Sequence, residues 1–117
     1  LGDVYKTDVY KLAQFINRKS EIIPGNIIAK PPSAELKPDQ KDTDSLPDYD
    51  VLDRILFEYI ERQIPANEIT GFHSELVKEI IKKVDTNEYK RFQTPPILRI
   101  SSKAFGYGRR IPLVAKY

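Results

Sequence analysis

Three features of the 117 residues predict a mainly α-helical fold. Several stretches place apolar side chains at i, i+3 and i+4, the spacing of one helix face. The segment 33–48 follows no period at all. Beyond Glu88 the chain is wholly basic in charge and broken by glycine and proline. The expected architecture is therefore about four helices, a long loop over 33–48 and an irregular basic tail. A chain of this length suits one small domain. A composition 40% hydrophobic and 31% charged is that of a globular protein and excludes full-length disorder.

The first helix is expected over residues 7–17. Val9, Leu12, Ala13 and Ile16 form its stripe, Thr7 is its predicted N-cap, and Asp8 suits the helix dipole. Pro24-Gly25-Asn26 ends that unit, and Ile27-Ile28-Ala29 reads as a short apolar, extended stub before Lys30-Pro31-Pro32. From Ser33 to Asp48 the chain turns polar and acid-rich, with Pro38 and Pro47. Loops of this length inside compact domains are usually functional or mobile. The stretch 35–46 has little to bury, so poor order is expected there without a ligand.

A second helix carries Leu52, Ile55, Leu56, Tyr59 and Ile60 on one face, bracketed by Pro47 and Pro65. A third, from about Phe72 to Val84, has the stripe Leu76, Val77, Ile80, Ile81 and Val84. Asp85-Thr86-Asn87-Glu88 has the form of a capping box opening a short fourth helix, which Thr94-Pro95-Pro96 stops. Ile97 to Ser101 reads as a brief extended segment. The tail from Ser102, with Gly106, Gly108 and Pro112, is expected to be irregular.

Composition narrows the chemistry. Without cysteine there is no disulfide, thiolate zinc site or cysteine nucleophile. No apolar run approaches a membrane span and the N-terminus has no signal-peptide pattern, so a cytoplasmic protein is expected. His73 is the single histidine and reads as a surface residue near a helix start; no structural metal site is expected. Asp50 and Asp53, three apart on one helix face, fit either a cation pair or, more commonly, the solvated start of a helix. The chain holds no methionine and opens on Leu1-Gly2-Asp3-Val4-Tyr5-Lys6 as if in a loop feeding a helix, so a segment of a longer protein is expected.

Phosphate contact is the chemistry these residues favour. After Glu88 there is no acid, while Lys90, Arg91, Arg99, Lys103, Arg109, Arg110 and Lys116 alternate with Phe92, Phe105, Tyr107 and Tyr117. Such a segment fits a nucleotide, a nucleic acid, or equally a surface that balances the acidic loop or meets another subunit. Lys6, one residue before the predicted helix start, joins an ammonium to free backbone N–H groups; a solvated lysine is the plainer reading. Ser33 offers a hydroxyl in the long loop, and a turn or cap explains a lone serine as well. No P-loop, Gly-rich dinucleotide turn or nucleophile elbow is present.

Four stretches in order resemble the bacterial NAD synthetases. They are Gly2-Asp3-Val4-Tyr5-Lys6-Thr7-Asp8-Val9-Tyr10; Lys30-Pro31-Pro32-Ser33-Ala34-Glu35-Leu36 with Pro38-Asp39-Gln40 and Asp44-Ser45-Leu46-Pro47 to Asp53; Glu88-Tyr89-Lys90-Arg91 with Gln93, Pro95 and Pro96; and Ser102-Lys103-Ala104-Phe105-Gly106 with Gly108-Arg109-Arg110 and Pro112. The second resembles the family's second phosphate loop. The fourth is similar to the glutamine-dependent members.

The resemblance implies the C-terminal portion of an α/β, Rossmann-like ATP-pyrophosphatase domain (adenine nucleotide alpha hydrolase-like). It implies an ATP-dependent ligase that adenylates deamido-NAD and amidates it with ammonia supplied from glutamine. Lys6 and Ser33 would contact ATP or its pyrophosphate, and Lys90 with neighbouring Tyr89 would contact deamido-NAD. No catalytic residue and no magnesium ligand is implied within these residues. ATP and Mg2+ belong to the full-length enzyme, which is expected to form homo-oligomers. The Ser-Gly-Gly-x-Asp-Ser loop and the Glu-Lys-Cys glutaminase triad are not in this sequence, so these residues would need the remainder of their own chain and are expected to be inactive alone. A structural or oligomerisation segment is the alternative, and a basic nucleic-acid-binding module the less favoured one.

Overall fold

The computed structural model of the chain describes residues 1–103 and Pro112. The described residues are helical, and no strand occurs among them. Five α-helices run in order as α1 (Lys6–Ile16), α2 (Gly25–Ala29), α3 (Tyr49–Leu56), α4 (Ser74–Thr86) and α5 (Glu88–Arg91). The expected extended stretch from Ile97 has no regular structure. The basic tail beyond Lys103, including Arg109 and Arg110, lies outside the described residues apart from Pro112.

The chain divides into two compact units. One is residues Tyr5–Asp53; the other joins Leu1–Val4 to the chain from Arg54 onward.

In the Tyr5–Asp53 unit, α1 begins one residue earlier than predicted, with Tyr5 and not Thr7 at the N-cap. Tyr5 has no side-chain cap to offer. The Asp53 carboxylate, 46 residues away, does the work instead by accepting the Thr7 N–H at 2.7 Å. The predicted stripe is only half covered: Val9 and Ala13 are half-buried, while Leu12 is 43% and Ile16 42% exposed. Asn17 closes the helix, its side-chain oxygen accepting the N–H groups of Ile22 and Ile23 and its amide donating to the Ile23 carbonyl.

Pro24-Gly25-Asn26 does not end a unit. Pro24 is the N-cap of α2, the Glu21 carboxylate accepts the Gly25 N–H, and Ile27-Ile28-Ala29 is helical, not extended. A proline at a helix start loses no hydrogen bond that the helix needs.

The other unit holds a core of Ile55, Ile60, Ile69, Val77, Ile80 and Ile81. Val77, Ile80 and Ile81 are the buried stripe of α4, as the periodicity predicts, and Leu76 and Val84 flank it half-buried. Burying each such side chain contributes about 1.5–3 kcal/mol. Helix α4 packs against the 3₁₀ turn Ala66–Glu68 and against α5. Gly71, at φ +85°, makes the turn into α4 in a conformation side chains disfavour. His73 is the exposed N-cap residue of α4.

The second predicted helix departs from α geometry after Leu56, and Phe57–Glu61 form a π turn. The Arg62 N–H reaches back five residues to the Phe57 carbonyl. The wider turn puts Ile55 and Ile60, five apart, both inside, at 0% and 2% exposure. It also lets the Tyr59 hydroxyl donate to the Asp85 carboxylate.

That bond removes the predicted capping box. Asp85 lies in the last turn of α4, the N-cap of α5 is Asn87, and no side chain caps it. Glu88 turns inward and pairs with Arg91, their side chains 3% and 6% exposed. At the other end of this unit, the buried Asp3 carboxylate accepts the N–H groups of Ile100 and Ser101 and the Ser101 hydroxyl. Gly2 sits so close to Ile97 that a Cβ would lie 2.7 Å from its Cδ1.

Candidate functional site

Lys6 and Ser33 fall in one unit, Tyr89 and Lys90 in the other. Lys6 is the first residue of α1 and its ammonium lies over two rings, 5.6 Å from the centre of Tyr10 and 5.9 Å from that of Tyr49. Both distances are within the range of cation–π attraction. The backbone N–H groups at the helix end beside Lys6 have partners within the protein. Asp53 occupies the Thr7 N–H, and the N–H groups of Asp8 and Val9 both go to the Tyr5 carbonyl. A phosphate at this place would be held by the Lys6 ammonium, with a carboxylate nearby.

Asp50 and Asp53 lie in different environments. Asp53 is buried against α1 and Asp50 is exposed. Among the described residues no group of three His, Asp or Glu side chains gathers to hold a metal ion.

The long loop is a closed structure at its base. The Asp42 N–H donates to the Pro32 carbonyl at 2.9 Å, and Asp42–Asp44 form a 3₁₀ turn in which Asp44 accepts the Lys41 N–H. Higher up, the Gln40 side chain accepts the Leu36 N–H. Glu35 and Asp39 both adopt the left-handed backbone region, at φ 53° and 55°. Non-glycine residues held there carry strain of roughly 1–3 kcal/mol each and concentrate at functional sites. Leu36 projects at 82% exposure, which agrees with the expectation that this stretch buries little.

Ser33 lines an open hollow of about 550 Å³ together with Lys30, Pro31, Glu35, Lys37, Asp39, Gln40 and Lys41. Three ammonium-bearing side chains share this hollow, although the loop reads as acidic along the chain. The Lys30 ammonium beside Glu35 holds that carboxyl below the ordinary glutamate range. The Ser33 oxygen accepts the Glu35 N–H at 3.0 Å. That bond leaves the hydroxyl proton available to an incoming phosphate oxygen.

Sequence reasoning missed Tyr49 and Asp42. Tyr49 is half-buried and its hydroxyl donates to the Asp42 carboxylate at 2.5 Å. Burial first, and the Asp42 bond second, push the Tyr49 hydroxyl above its ordinary pKa. No local spacing signals this pair, because Asp42 lies in a 3₁₀ turn and Tyr49 in a separate helix.

In the other unit, Lys90 lines a cleft of about 330 Å³ with Gly2, Val84, Asn87, Glu88, Arg91, Thr94 and Ile97. The walls are largely apolar and the lysine head is exposed, an arrangement that fits a flat, partly charged ligand. Tyr89 is 48% exposed and is not among the residues lining the cleft. The Glu88–Arg91 pair anchors the inner side of α5 and so fixes the helix on which Lys90 stands.

The sequence profile described as NAD synthase matches residues 1–94. The glutamine-dependent NAD(+) synthetase of Acinetobacter baylyi is 53% identical over 118 residues, covering 97% of this chain and 22% of the relative. That of Synechocystis sp. is 46% identical over 119 residues, covering 100% of this chain and 21% of the relative. A solved structure of the glutamine-dependent NAD+ synthetase from Acinetobacter baumannii in complex with ADP aligns over 97% of this chain and 20% of that one, with 41% identity and a TM-score of 0.57. The chain thus spans about a fifth of the length of the relatives it matches. With its profile match running from the Lys6 helix through the long loop to Lys90, this chain belongs to the NAD synthase family.

Proposed function

We propose that this chain is the C-terminal portion of the ATP-pyrophosphatase domain of a glutamine-dependent NAD synthetase, and that it supplies phosphate and deamido-NAD contacts to an active site completed by the rest of the protein. One observation carries the reading: a relative described as bound to ADP aligns with 97% of this chain at 41% identity. In the reaction, the nicotinate carboxylate of deamido-NAD attacks the α-phosphorus of ATP and pyrophosphate leaves. Ammonia derived from glutamine then displaces AMP from the acyl-adenylate.

Lys6 and the Ser33 loop are the contacts for the departing phosphates. An ammonium and a hydroxyl donor placed where negative charge accumulates stabilise such a step. Lys90 is the deamido-NAD contact, supported by its place on the 330 Å³ cleft; Tyr89, outside that lining, has the weaker claim. Magnesium accompanies ATP in ligases of this kind. The buried carboxylates of Asp3 and Asp53 hold backbone donors and that of Glu88 holds Arg91. No helix of the described residues is long and apolar enough to cross a membrane.

The basic tail, on which the subunit-contact alternative and the less favoured nucleic-acid one rest, lies beyond Lys103 outside the described residues apart from Pro112. The test is Lys90→Ala in the full-length enzyme. It should raise the deamido-NAD requirement far more than the ATP requirement; an unchanged deamido-NAD dependence would remove Lys90 from the site. The 117-residue chain alone should form no NAD from ATP and deamido-NAD.

A further inference from the structure

We infer that Tyr49 is a positioning residue that holds the phosphate loop and Lys6 in one fixed arrangement; this rests on the reading of Lys6 and Ser33 as ATP contacts. Four links carry the inference, all within the Tyr5–Asp53 unit. The Lys6 ammonium lies over the Tyr49 ring at 5.9 Å. The Tyr49 hydroxyl donates to the Asp42 carboxylate at 2.5 Å. The Asp42 N–H donates to the Pro32 carbonyl at 2.9 Å, closing the loop at the residue before Ser33. Tyr49 itself is fixed by its place in the first turn of α3.

The two ends of the tyrosine do different things. Its face takes up a cation, and its hydroxyl grips the base of the loop. A lysine held only by its own four-carbon stem loses considerable rotamer freedom on meeting a phosphate, and a loop of exposed polar residues loses more. Tyr49 removes part of both costs before the nucleotide arrives, which is how preorganisation raises affinity. The left-handed residues Glu35 and Asp39 add to the argument, because a loop held in strained backbone conformations needs an anchor at its base. The Asp42 carboxylate faces the Tyr49 hydroxyl. Asp42 is not among the residues that line the hollow in which Ser33 lies.

The experiment separates the two ends of Tyr49 in the full-length enzyme that contains this segment. Tyr49→Phe keeps the ring under Lys6 and removes the bond to Asp42; Tyr49→Leu removes both. The KM for ATP should rise roughly tenfold in Tyr49→Phe, the loss expected for one hydrogen bond to a charged group, and further in Tyr49→Leu. The KM for deamido-NAD should stay within about twofold in both. Asp42→Asn, which retains an acceptor for the hydroxyl, should fall between wild type and Tyr49→Phe. Amide exchange at Asp42 in Tyr49→Phe, measured without nucleotide, should accelerate by about the same factor as the rise in KM.

Lys6→Ala is the control that separates this inference from the functional reading. A raised ATP requirement in Lys6→Ala with an unchanged one in Tyr49→Phe overturns the positioning role alone. An unchanged ATP requirement in Lys6→Ala overturns the reading on which it rests. Equal rises in both substrate requirements for Tyr49→Phe would show a general structural role and also overturn the inference.

Discussion

Replacing Asp53 by alanine should destabilise the chain by about 2 kcal/mol and unlock the start of α1 specifically. The carboxylate is 8% exposed and accepts the Thr7 N–H at 2.7 Å from a position 46 residues away. Removing a side-chain N-cap costs about 0.5–2 kcal/mol, and a hydrogen bond to a charged group contributes about 1.5–3 kcal/mol. A carboxylate near the positive end of a helix adds roughly 0.3–1 kcal/mol. These are overlapping accounts of one contact, so they bound the value near 2 kcal/mol and do not sum. Helix α1 has little with which to compensate. It is 11 residues long with no buried side chain, and an isolated helix of that length is marginal in water.

Asp53→Asn retains an oxygen acceptor and should lose only about 0.5–1 kcal/mol, the charge–dipole part. Urea denaturation followed by far-ultraviolet circular dichroism measures the stability change. At roughly 4 °C per kcal/mol for a chain of this size, Asp53→Ala should lower the melting midpoint by roughly 8 °C. Amide exchange at Thr7 locates the effect: it should quicken in Asp53→Ala and much less in Asp53→Asn. A midpoint unchanged to within about 2 °C, with Thr7 exchange as slow as in wild type, would refute the assignment of Asp53 as the cap.

The buried pair in α5 makes a second stability test. Glu88→Ala leaves the Arg91 charge without its carboxylate among side chains 3% and 6% exposed, and should cost about 3–5 kcal/mol in the same urea titration. A loss under about 1 kcal/mol would mean that Arg91 reaches water. Tyr49 also gives the chain a pH dependence. Its folded-state pKa is raised above the unfolded value near 10, so the folded state retains a proton that the unfolded chain releases. Stability should be constant through neutral pH and fall as the pH climbs past about 10; Tyr49→Phe should flatten that fall, as seen in melting midpoints across the alkaline range. Gly2→Ala brings a methyl within 2.7 Å of Ile97 Cδ1, and should cost about 1 kcal/mol in the melt, less if Ile97 can turn aside.

Much of the fold was legible in the residues. The α4 stripe was readable because its apolar spacing of three and four is the spacing of one helix face, and Val77, Ile80 and Ile81 are the residues it buries. The loop from Ser33 was readable because its polar, proline-marked composition has nothing to bury, and the family resemblance was readable because four motifs occur in order. The same motifs imply Lys6, Ser33 and Lys90 as ligand contacts; Lys6 stands at a helix start, Ser33 on a lysine-bearing hollow and Lys90 on a cleft.

What escaped the sequence were the pairings. Thr7 and Asp85 both have the local pattern of caps, yet the N–H of Thr7 goes to Asp53 and the carboxylate of Asp85 to Tyr59. A local cap competes with every donor and acceptor that folding brings near, and periodicity contains no information about those. The π turn at Phe57–Glu61 is of the same kind: a regular helix would satisfy the stripe as written, and only packing that buries Ile55 and Ile60 together selects the wider turn. The link from Lys6 through Tyr49 to Asp42 crosses more than forty residues of chain. Residue order thus marks α1, α3 and α4 through their apolar spacing, and leaves α2, five residues long, unmarked. The choice of partner for each buried polar group came with tertiary contact, because a hydrogen bond depends on distance in space and not along the chain.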